Sequence, residues 1–480
     1  MTSTAQPFDV PSLPTPDPSG WRRLHLVGIG GAGMSGIAKL LLARGIEVSG
    51  SDLKASRGWD ALRSMGADVA VGHRAEQVGH PDAVVISSAI RPDNPEVRAA
   101  AEAGIPVLLR AQVLAALMVG RRGVAVSGTH GKTTTTSMVS VMLSRLGLDP
   151  SFVIGGDLNE SGSGAEHGQG DVFVAEADES DGSFLVLRPD VAVITNIEED
   201  HLDFYGDRAA IERAFAAFAA RSGTVVACWD DPGVRRALEG TSAPLIRYGE
   251  GEAADVRVSA VCADGVGVSA DIDVAAEHRT VRLEVPGRHN ALNAAAAVGV
   301  AHALGLPVSA AVRALETFSG VRRRFERRGT GRGATFVDDY AHHPTEIAAT
   351  IAAARCVVAD QSNGAGRPRV IGVFQPHRYT RTRAMWRELG ESLAGADLAV
   401  VTDVYDAGED PIPGVSGKLV VEALADAAPG RRIVYLPRRS EIAPFLAAEI
   451  RPGDLVLTLG AGDITMVGEE TLSRIHASDG

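Results

Sequence analysis

The chain has 480 residues, with 47 lysines and arginines against 60 aspartates and glutamates, which gives a formal net charge of −13. A chain of this length is expected to fold as about three domains. The acidic balance excludes a general nucleic-acid binder, because contacts to nucleic-acid phosphates need a basic surface. Cys228, Cys262 and Cys356 lie far apart without metal-ligand spacing, so we expect neither a disulfide framework nor a cysteine zinc site.

Residues 1–20 contain five prolines between small polar residues. They have neither the charged start nor the apolar centre of a signal peptide, and we predict a disordered tail. No apolar run reaches the roughly 20 residues that span a bilayer. We therefore expect a cytoplasmic protein without membrane insertion.

From residue 21 onward, short apolar runs alternate with amphipathic stretches rich in Ala and Leu, the pattern of α/β units with parallel sheets. We predict a first domain over 21–120, with a helix at 34–43. The predicted strands of this domain are 24–29, 46–49, 84–86 and 107–108. A short polar segment at 121–123 then leads to a new strand, which begins a second domain.

The second predicted domain covers 121–320 and the third covers 321–480; the boundary is the arginine-rich segment 320–328. Residues 255–285 alternate with a period of two, which predicts antiparallel strands at the edge of the second sheet. The predicted strands of the second domain are 124–127, 172–175, 191–195 and 225–228, and those of the third are 370–374, 398–402, 433–436 and 455–459. The fold class is α/β.

A first glycine-rich turn follows the first predicted strand and opens a helix. Gly28, Gly30 and Gly33 fit the pattern G-x-G-x-x-G, which lets the backbone approach a diphosphate at a helix N-terminus. Asp52 ends the next strand, 19 residues after Gly33, where an acid that binds a ribose belongs. The pattern favours a nucleotide-diphosphate site over a merely structural turn, and it leaves the nucleotide open.

A second glycine-rich turn, residues 128–133 with the sequence GTHGKT, also lies between a strand and a helix. It is a shortened variant of the common P-loop, because Val126 occupies the place of the first glycine. Lys132 is expected to neutralise nucleotide phosphates, and the Thr133 hydroxyl is expected to ligate Mg²⁺. Two anion loops on separate sheets predict two nucleotides, or one nucleotide and a second phosphorylated substrate.

Acidic residues follow two strands of the second domain, at the sheet edge that also presents the second glycine loop. Glu176 and His201 are predicted to reach a metal bound to nucleotide phosphates. Glu179, Glu198 and Glu199 are expected to be solvated loop residues.

The third domain carries histidines and arginines after two strands, in the segments 338–344 and 375–381. Paired His and Arg suit a carboxylate or a developing negative charge, since Arg binds carboxylates with two hydrogen bonds. A metal site at the neighbouring His342 and His343 is the weaker alternative. Asn290 and Asn293 lie at a strand-to-helix junction, where their amides either cap the helix or read a purine edge.

Seven motifs in this order and spacing resemble the Mur ligase family, over residues 24 to 463. The motifs are 25–36, 128–135, 176–181, 195–201, 287–290, 338–344 and 374–379. The resemblance implies a Rossmann-like N-terminal domain, a central P-loop ATPase domain with added antiparallel strands, and a Rossmann-like C-terminal domain. It also implies ATP as co-substrate, with Mg²⁺ or Mn²⁺.

The resemblance assigns residues to three ligands. For the UDP-sugar it implies Gly28, Gly30, Gly31, Gly33, Met34, Ser35, Asp52, Ser87 and Ser88. For ATP it implies Gly128, Thr129, His130, Gly131, Lys132, Thr133, Thr134, Asn290, Asn293 and Arg324. For the amino acid it implies Tyr340, His342, His377, Arg378 and Arg381, and for the metal Thr133, Glu176 and His201. Lys132, Glu176, His201 and Arg378 are the residues expected to take part in catalysis.

The expected reaction joins L-alanine to the lactoyl carboxylate of UDP-N-acetylmuramate through an acyl phosphate, in a monomer or homodimer. The nearest alternative is a recycling ligase that attaches a whole tripeptide to the same UDP-sugar. A non-enzymatic nucleotide-binding regulator and an NAD dehydrogenase are further alternatives. Several members of the family use a carbamylated lysine in the central domain, but this chain has no lysine between Lys132 and Lys418, which favours the alanine-adding branch.

Overall fold

The computed structural model describes residues 14–55, 58–360 and 368–479. The chain divides into two compact units. The first comprises Met1–Ser259, Asp271–Thr280 and Leu292–Phe318, and the second comprises Ala260–Ala270, Val281–Ala291 and Ser319–Gly480. Residues 1–13 of the predicted tail lie outside the described residues. The end of the predicted tail forms a 3₁₀ turn, Pro18–Gly20, which the Asp17 side chain caps.

The first sheet has five parallel strands, which lie within the first predicted domain. Its strands are β1 (Arg23–Val27), β2 (Glu47–Asp52), β3 (Asp68–Val71), β4 (Ala83–Ile86) and β5 (Val107–Leu109), in the order β3-β2-β1-β4-β5. Its helices are α1 (Ala32–Ala43), α2 (Trp59–Ser64), α3 (Pro95–Glu102) and α4 (Arg110–Met118). Because the strands are parallel, the turns after β1, β4 and β5 leave the sheet at the same edge.

The second sheet has ten strands, and its central members are parallel. The strands are β6 (Arg122–Ser127), β7 (Ser151–Val153), β8 (Ala165–Glu166), β9 (Val172–Glu176), β10 (Val191–Ile194), β11 (Thr224–Cys228), β12 (Leu245–Gly249), β13 (Val256–Asp264), β14 (Gly267–Val274) and β15 (Glu277–Leu283). The order is β15-β14-β13-β12-β11-β10-β6-β9-β7-β8. The segment with period-two alternation forms β13 to β15 at one end of this order, as edge strands.

Six helices accompany these strands. They are α5 (Lys132–Arg145), α6 (Leu202–Tyr205), α7 (Arg208–Ala220), α8 (Pro232–Ala237), α9 (Arg288–Ala303) and α10 (Val308–Leu315). The strands next to the second glycine loop are apolar and buried: every residue of β10 and all but the first residue of β6 are buried. Strands with both faces buried form a rigid base from which the loops at their carboxyl ends extend.

The third sheet has six strands. They are β16 (Glu326–Gly331), β17 (Ala334–Asp339), β18 (Val370–Phe374), β19 (Leu398–Val401), β20 (Arg432–Tyr435) and β21 (Leu455–Leu459), in the order β16-β17-β21-β18-β19-β20. β16 and β17 form an antiparallel hairpin, and the other pairs are parallel. The helices are α11 (Pro344–Asp360), α12 (Tyr379–Ser392), α13 (Gly417–Ala427), α14 (Ile442–Glu449) and α15 (Met466–Asp479).

The long apolar strands agree with the sequence prediction to within three residues at each end. The prediction missed short or partly exposed strands, among them β3, β7, β8 and β12. These strands have two to five residues and lack a continuous apolar run, so periodicity carries little signal for them. Within the described ranges, no helix combines the length and apolar character needed to cross a membrane.

Candidate active site

The second glycine-rich turn has the strand–turn–helix form that the sequence predicts. β6 ends at Ser127 and α5 begins at Lys132, so the turn is four residues long. Gly128 and Gly131 have φ of +134° and +80°, a region that side-chain-bearing residues rarely adopt. A Cβ on Gly128 would collide with the Thr195 hydroxyl, so both conformation and space require glycine there. The turn therefore brings its backbone and the first amides of α5 to one edge of the sheet.

The turn is held from outside by the residues that follow β10. The backbone N–H groups of Thr129 and His130 donate to the Asn196 backbone oxygen at 3.0 Å and to Asn196 Oδ1 at 2.8 Å. The Thr195 hydroxyl donates to the His130 carbonyl at 2.6 Å. Sequence analysis did not assign a role to Asn196. Its signal was its place directly after the end of a buried parallel strand.

Lys132 lies folded back on its own turn. Its Nζ donates to the Gly128 and Thr129 carbonyls at 2.6 and 3.2 Å and to Glu179 Oε1 at 2.9 Å. Burial alone would lower the pKa of Lys132, but the nearby carboxylates, chiefly Glu179 and Asp178, outweigh burial and raise it. Lys132 is therefore charged. The expectation that Glu179 is a solvated loop residue is wrong: its side chain is only 4% exposed, because it is the ion-pair partner of Lys132.

The predicted metal ligands are only partly joined by contacts in the structure. Thr133 Oγ1 donates to Glu176 Oε1 at 3.2 Å, and the Gly155 N–H donates to Glu176 Oε2 at 2.7 Å. A hydroxyl and a carboxylate are the oxygen donors that Mg²⁺ prefers, so this pair fits the ion. His201 Nε2 lies 4.0 Å from Glu179 Oε1 and 3.5 Å from Asp200 Oδ2. The assignment of these residues to a metal stays a prediction.

Of the two candidate adenine readers, Asn293 lies against the second glycine-rich turn, residues 128–133, which we call the ATP loop after its predicted ligand. Its Oδ1 accepts from Thr135 Oγ1 at 3.1 Å, and it is the nearest neighbour of the Cβ position on Gly131. Asn290 Nδ2 donates to the Pro286 carbonyl at 2.7 Å, a local contact at the start of α9. A helix cap accepts from the first N–H groups of the helix, so this bond is not a cap. Arg324, which the resemblance also assigns to ATP, belongs to the second unit, as does Asn290.

The first glycine-rich turn joins β1 to α1 and is held by the end of β2. The Gly28 and Ile29 N–H groups donate to the Ser51 carbonyl at 2.8 and 3.0 Å, and the Gly30 N–H donates to Asp52 Oδ2 at 2.9 Å. One oxygen of the predicted ribose ligand Asp52 therefore supports the turn itself. Gly31 is the N-cap residue of α1, and Gly33, Met34 and Ser35 lie in its first turn, whereas Ser87 and Ser88 follow β4 at the same sheet edge.

In the second unit, three of the residues predicted to bind the amino acid form a row of aromatic rings with Tyr405. We call this row the ring cluster: Tyr340, His342, His377 and Tyr405. Their successive ring centroids are 5.3, 5.6 and 5.8 Å apart, and the last pair is stacked with an angle of 11° between planes. Two guanidinium groups lie over the Tyr340 ring, those of Arg323 at 4.8 Å and Arg324 at 5.3 Å. Tyr405 was not predicted, because it follows β19 in an acidic segment, TDVYDAGED, that carries no recognisable motif.

Arg378 joins two parts of this cluster through its backbone. It is the N-cap residue of α12 with φ of +67°, and its N–H donates to the Tyr405 carbonyl at 2.9 Å. Arg381 lies one turn further, on the same helix. Glu346 was also missed: it accepts from the His342 N–H at 3.1 Å and pairs with Arg324 at 3.6 Å.

Burial keeps the histidines of the ring cluster uncharged at neutral pH. It lowers the pKa of His342 to about 4, although Glu346 opposes the shift. Burial, together with His342 and Arg381, lowers the pKa of His377 to about 3. His377 Nδ1 is buried without a hydrogen-bond partner among the described residues. Neutral imidazoles next to arginines form a surface that accepts hydrogen bonds and attracts carboxylates.

Family models match three consecutive segments of the chain. The Mur ligase family catalytic domain matches residues 23–122, the Mur ligase middle domain 126–301, and the Mur ligase glutamate ligase domain 323–462. This chain belongs to the Mur ligase family. The resemblance in the sequence is thereby confirmed, and with it the three-domain α/β architecture of an ATP-dependent ligase.

Individual relatives narrow the comparison. A UDP-N-acetylmuramate–L-alanine ligase of Saccharopolyspora erythraea is 50% identical over 471 residues, which cover 95% of this chain and 94% of the relative. A solved UDP-N-acetylmuramate–alanine ligase from Thermotoga maritima superposes with a TM-score of 0.80 at 29% identity, covering 95% and 99% of the two chains. A murein peptide ligase from Psychrobacter arcticus gives 0.69 at 25% identity, covering 95% and 98%.

Proposed function

We propose that this chain joins L-alanine to the lactoyl carboxylate of UDP-N-acetylmuramate, with ATP converted to ADP and phosphate, as a step of peptidoglycan precursor synthesis. The observation that carries the proposal is the 50% identity, over nearly the full length of both chains, to a ligase named for these substrates. The murein peptide ligase superposes with a lower TM-score than the alanine ligase, so attachment of a whole peptide is the less supported alternative.

The chemistry follows from the weakness of a carboxylate as an electrophile. The lactoyl carboxylate attacks the γ-phosphorus of ATP, ADP leaves, and the product is an acyl phosphate. The α-amine of L-alanine then attacks the acyl carbon, and the tetrahedral intermediate loses phosphate and a proton to give the amide. Charge builds up on the phosphoryl oxygens in the first step, and fixed positive groups are the main means of stabilising it.

Lys132 supplies such a group. In the structure its ammonium is held at the turn by Glu179 and two turn carbonyls. Thr133 and Glu176 are the residues that would hold Mg²⁺, which supplies neutralisation of the phosphate oxygens when bound. His201 is also a candidate to move a proton, and metal ligation and proton transfer compete for the same imidazole.

The ring cluster is the proposed site of the amino acid. Arg378 and Arg381 are the proposed partners of the L-alanine carboxylate; their position at the start of α12, beside the ring cluster, supports this role. The neutral imidazoles of His342 and His377 offer acceptors for its ammonium group, which must lose one proton before the amine can attack. A cytoplasmic location and a monomer or homodimer remain predictions.

Phosphate release with purified protein tests the proposal. UDP-N-acetylmuramate, ATP and Mg²⁺ are combined with L-alanine, glycine, L-serine or the tripeptide in turn. We expect release that depends on the UDP-sugar and is fastest with L-alanine. Faster release with the tripeptide would support the recycling alternative, and no ATP requirement would contradict ligation altogether.

A further inference from the structure

The third glycine of the first loop leaves space for an arginine from another part of the chain. A Cβ placed on Gly33 would have three atoms of Arg110 as its nearest neighbours, with Nη1 in direct collision and Cζ at 3.2 Å. Gly33 does not have a positive φ, so backbone conformation does not demand glycine at this position. Glycine at position 33 therefore leaves room for the Arg110 guanidinium group, which lies against the first turn of α1.

Arg110 reaches this position because of the sheet topology. It is the first residue of α4 and directly follows β5, whose carboxyl end lies at the same edge of the first sheet as the glycine turn after β1. The guanidinium thus lies beside the first glycine-rich turn, at the start of α1.

The other end of the same guanidinium is fixed. Arg110 Nη2 pairs with Asp178 Oδ2 at 3.2 Å, and the Arg110 side chain is 30% exposed. With Nη2 engaged by Asp178, the Nη1 donors point toward Gly33.

We propose that Arg110 binds the diphosphate of the UDP-sugar at the first turn of α1, with Asp178 as the residue that positions its guanidinium. The inference rests on the proposed function for the identity of the sugar, but not for the diphosphate. A planar guanidinium pairs with phosphate oxygens through two hydrogen bonds, and the amides at the start of a 12-residue helix add to the same anion site. The first loop itself contains no cation, so Arg110 provides the positive charge that the second loop obtains from Lys132.

The lactoyl carboxylate of the same substrate is the competing partner for Arg110, since arginine binds both groups by the same chemistry. The position favours the diphosphate, because the guanidinium lies against Gly33, inside the turn that the glycine pattern assigns to that group. UDP lacks the N-acetylated amino sugar and UDP-N-acetylglucosamine lacks the lactoyl carboxylate, so these two ligands separate the possibilities.

Calorimetric binding to the full-length protein tests the proposal with UDP, UDP-N-acetylglucosamine and UDP-N-acetylmuramate. Arg110→Gln is expected to weaken all three by about tenfold or more, the usual effect of losing a charge-assisted hydrogen bond. The matched control is Arg122→Gln, which breaks another Arg–Asp pair, to Asp171 at 3.0 Å, at the opposite end of β6 from the ATP loop. The control is expected to bind all three ligands as the wild type does.

Two further variants keep the test decisive if Arg110→Gln folds poorly. Gly33→Ala is expected to push the flexible guanidinium aside and weaken UDP binding as much as Arg110→Gln, with little loss of thermal stability. Combined in one chain, the two changes are expected to weaken binding no more than either alone. Arg110→Lys is expected to be intermediate, because an ammonium keeps the charge but not the planar fork.

The outcomes separate this inference from the proposed function. Unchanged UDP binding in Arg110→Gln, or a loss confined to UDP-N-acetylmuramate, would overturn the diphosphate assignment. A further outcome is that the variants lose UDP binding as expected while the wild type releases no phosphate in the ligation assay. That result would support the role of Arg110 and refute the proposed function. A wild type that binds none of the three ligands would overturn both.

Discussion

The ATP loop and the ring cluster both hold ionisable side chains away from water, but they do so in opposite electrostatic states. At the ATP loop, Lys132 keeps its charge, since the carboxylate of Glu179 lies 2.9 Å away and more than offsets burial. In the ring cluster, His342 and His377 give up their charge, although Glu346 lies 3.5 Å from His342 Nδ1. The side chains are similarly buried in the two places. Lys132 has several carboxylates nearby, whereas His342 has only Glu346 among the residues that the structure describes.

This difference matches the chemistry proposed for each region. Phosphoryl transfer needs a fixed positive charge that persists at neutral pH, and a buried ion pair supplies it. Capture of an amine that must become a nucleophile needs neutral acceptors, and desolvated imidazoles supply those. Four substitutions test the comparison, from the largest expected effect to the smallest.

Lys132→Ala is expected to lower kcat for phosphate release by about a thousandfold, because the transferring phosphoryl group loses its fixed positive partner. UDP-N-acetylmuramate affinity is expected to stay near the wild-type value, since Lys132 belongs to the other glycine loop. Lys418→Ala is the matched control, an exposed lysine on α13. A variant that keeps more than a tenth of the wild-type kcat would remove Lys132 from the chemistry.

Glu179→Gln is expected to lower the free energy of unfolding by about 3 kcal/mol, because it leaves the Lys132 ammonium buried with only two carbonyl partners. Urea midpoints measure the loss. Saturating ATP is expected to reduce this loss of stability, since the phosphates replace the missing negative charge. Glu199→Gln, at a side chain that is 56% exposed, is the control and is expected to change stability by less than about 0.5 kcal/mol. Equal losses in both variants would mean that the Lys132–Glu179 pair contributes no special stability.

Arg378→Ala is expected to raise the KM for L-alanine by about tenfold to a hundredfold, the range for a lost charge-assisted hydrogen bond, and to leave the KM for ATP unchanged. Arg383→Ala, at an exposed arginine on the same helix, provides the comparison. An unchanged KM for L-alanine would place the carboxylate elsewhere, with Arg381 the next residue to test.

The two regions also differ in how far sequence reasoning reached. At the ATP loop, strand, glycine turn, Lys132 and helix are contiguous, so local pattern was enough to predict them. The fold class and the long buried strands were predicted for the same reason, because apolar runs with regular spacing are local signals. What the sequence concealed was the partner of Lys132: Glu179 looks like one more acid in a polar loop, and only tertiary folding buries it.

The ring cluster depends on three separate segments, and the sequence marked only two of them. Tyr340, His342 and His377 stand in motifs at strand ends and were predicted. Arg110 is a single charged residue in an apolar segment, and Tyr405 lies in an acidic loop without a motif, so the topology of the sheet had to be known before either was placed. Contacts between residues distant in sequence leave no local pattern from which they can be predicted.

The smallest expected effect concerns pH. His342 has a pKa of about 4 in the folded chain against an ordinary value of 6.5, so between these values the unfolded chain binds a proton that the folded chain does not. Stability therefore falls as pH drops from 6.5 to 4, by up to about 1.4 kcal/mol per pH unit for each such histidine. His342→Gln removes one proton from this uptake.

The pH dependence of the urea midpoint between pH 4 and 6.5 is thus expected to be shallower in His342→Gln than in the wild type. His278→Gln is the control, because Asp273 raises the pKa of this exposed histidine. The stabilisation from that group is fully present at acid pH and is lost as pH rises, so its removal does not flatten the acid limb. If His342→Gln and wild type have the same slope, His342 is already charged in the folded chain, and the contrast with Lys132 fails at the ring cluster.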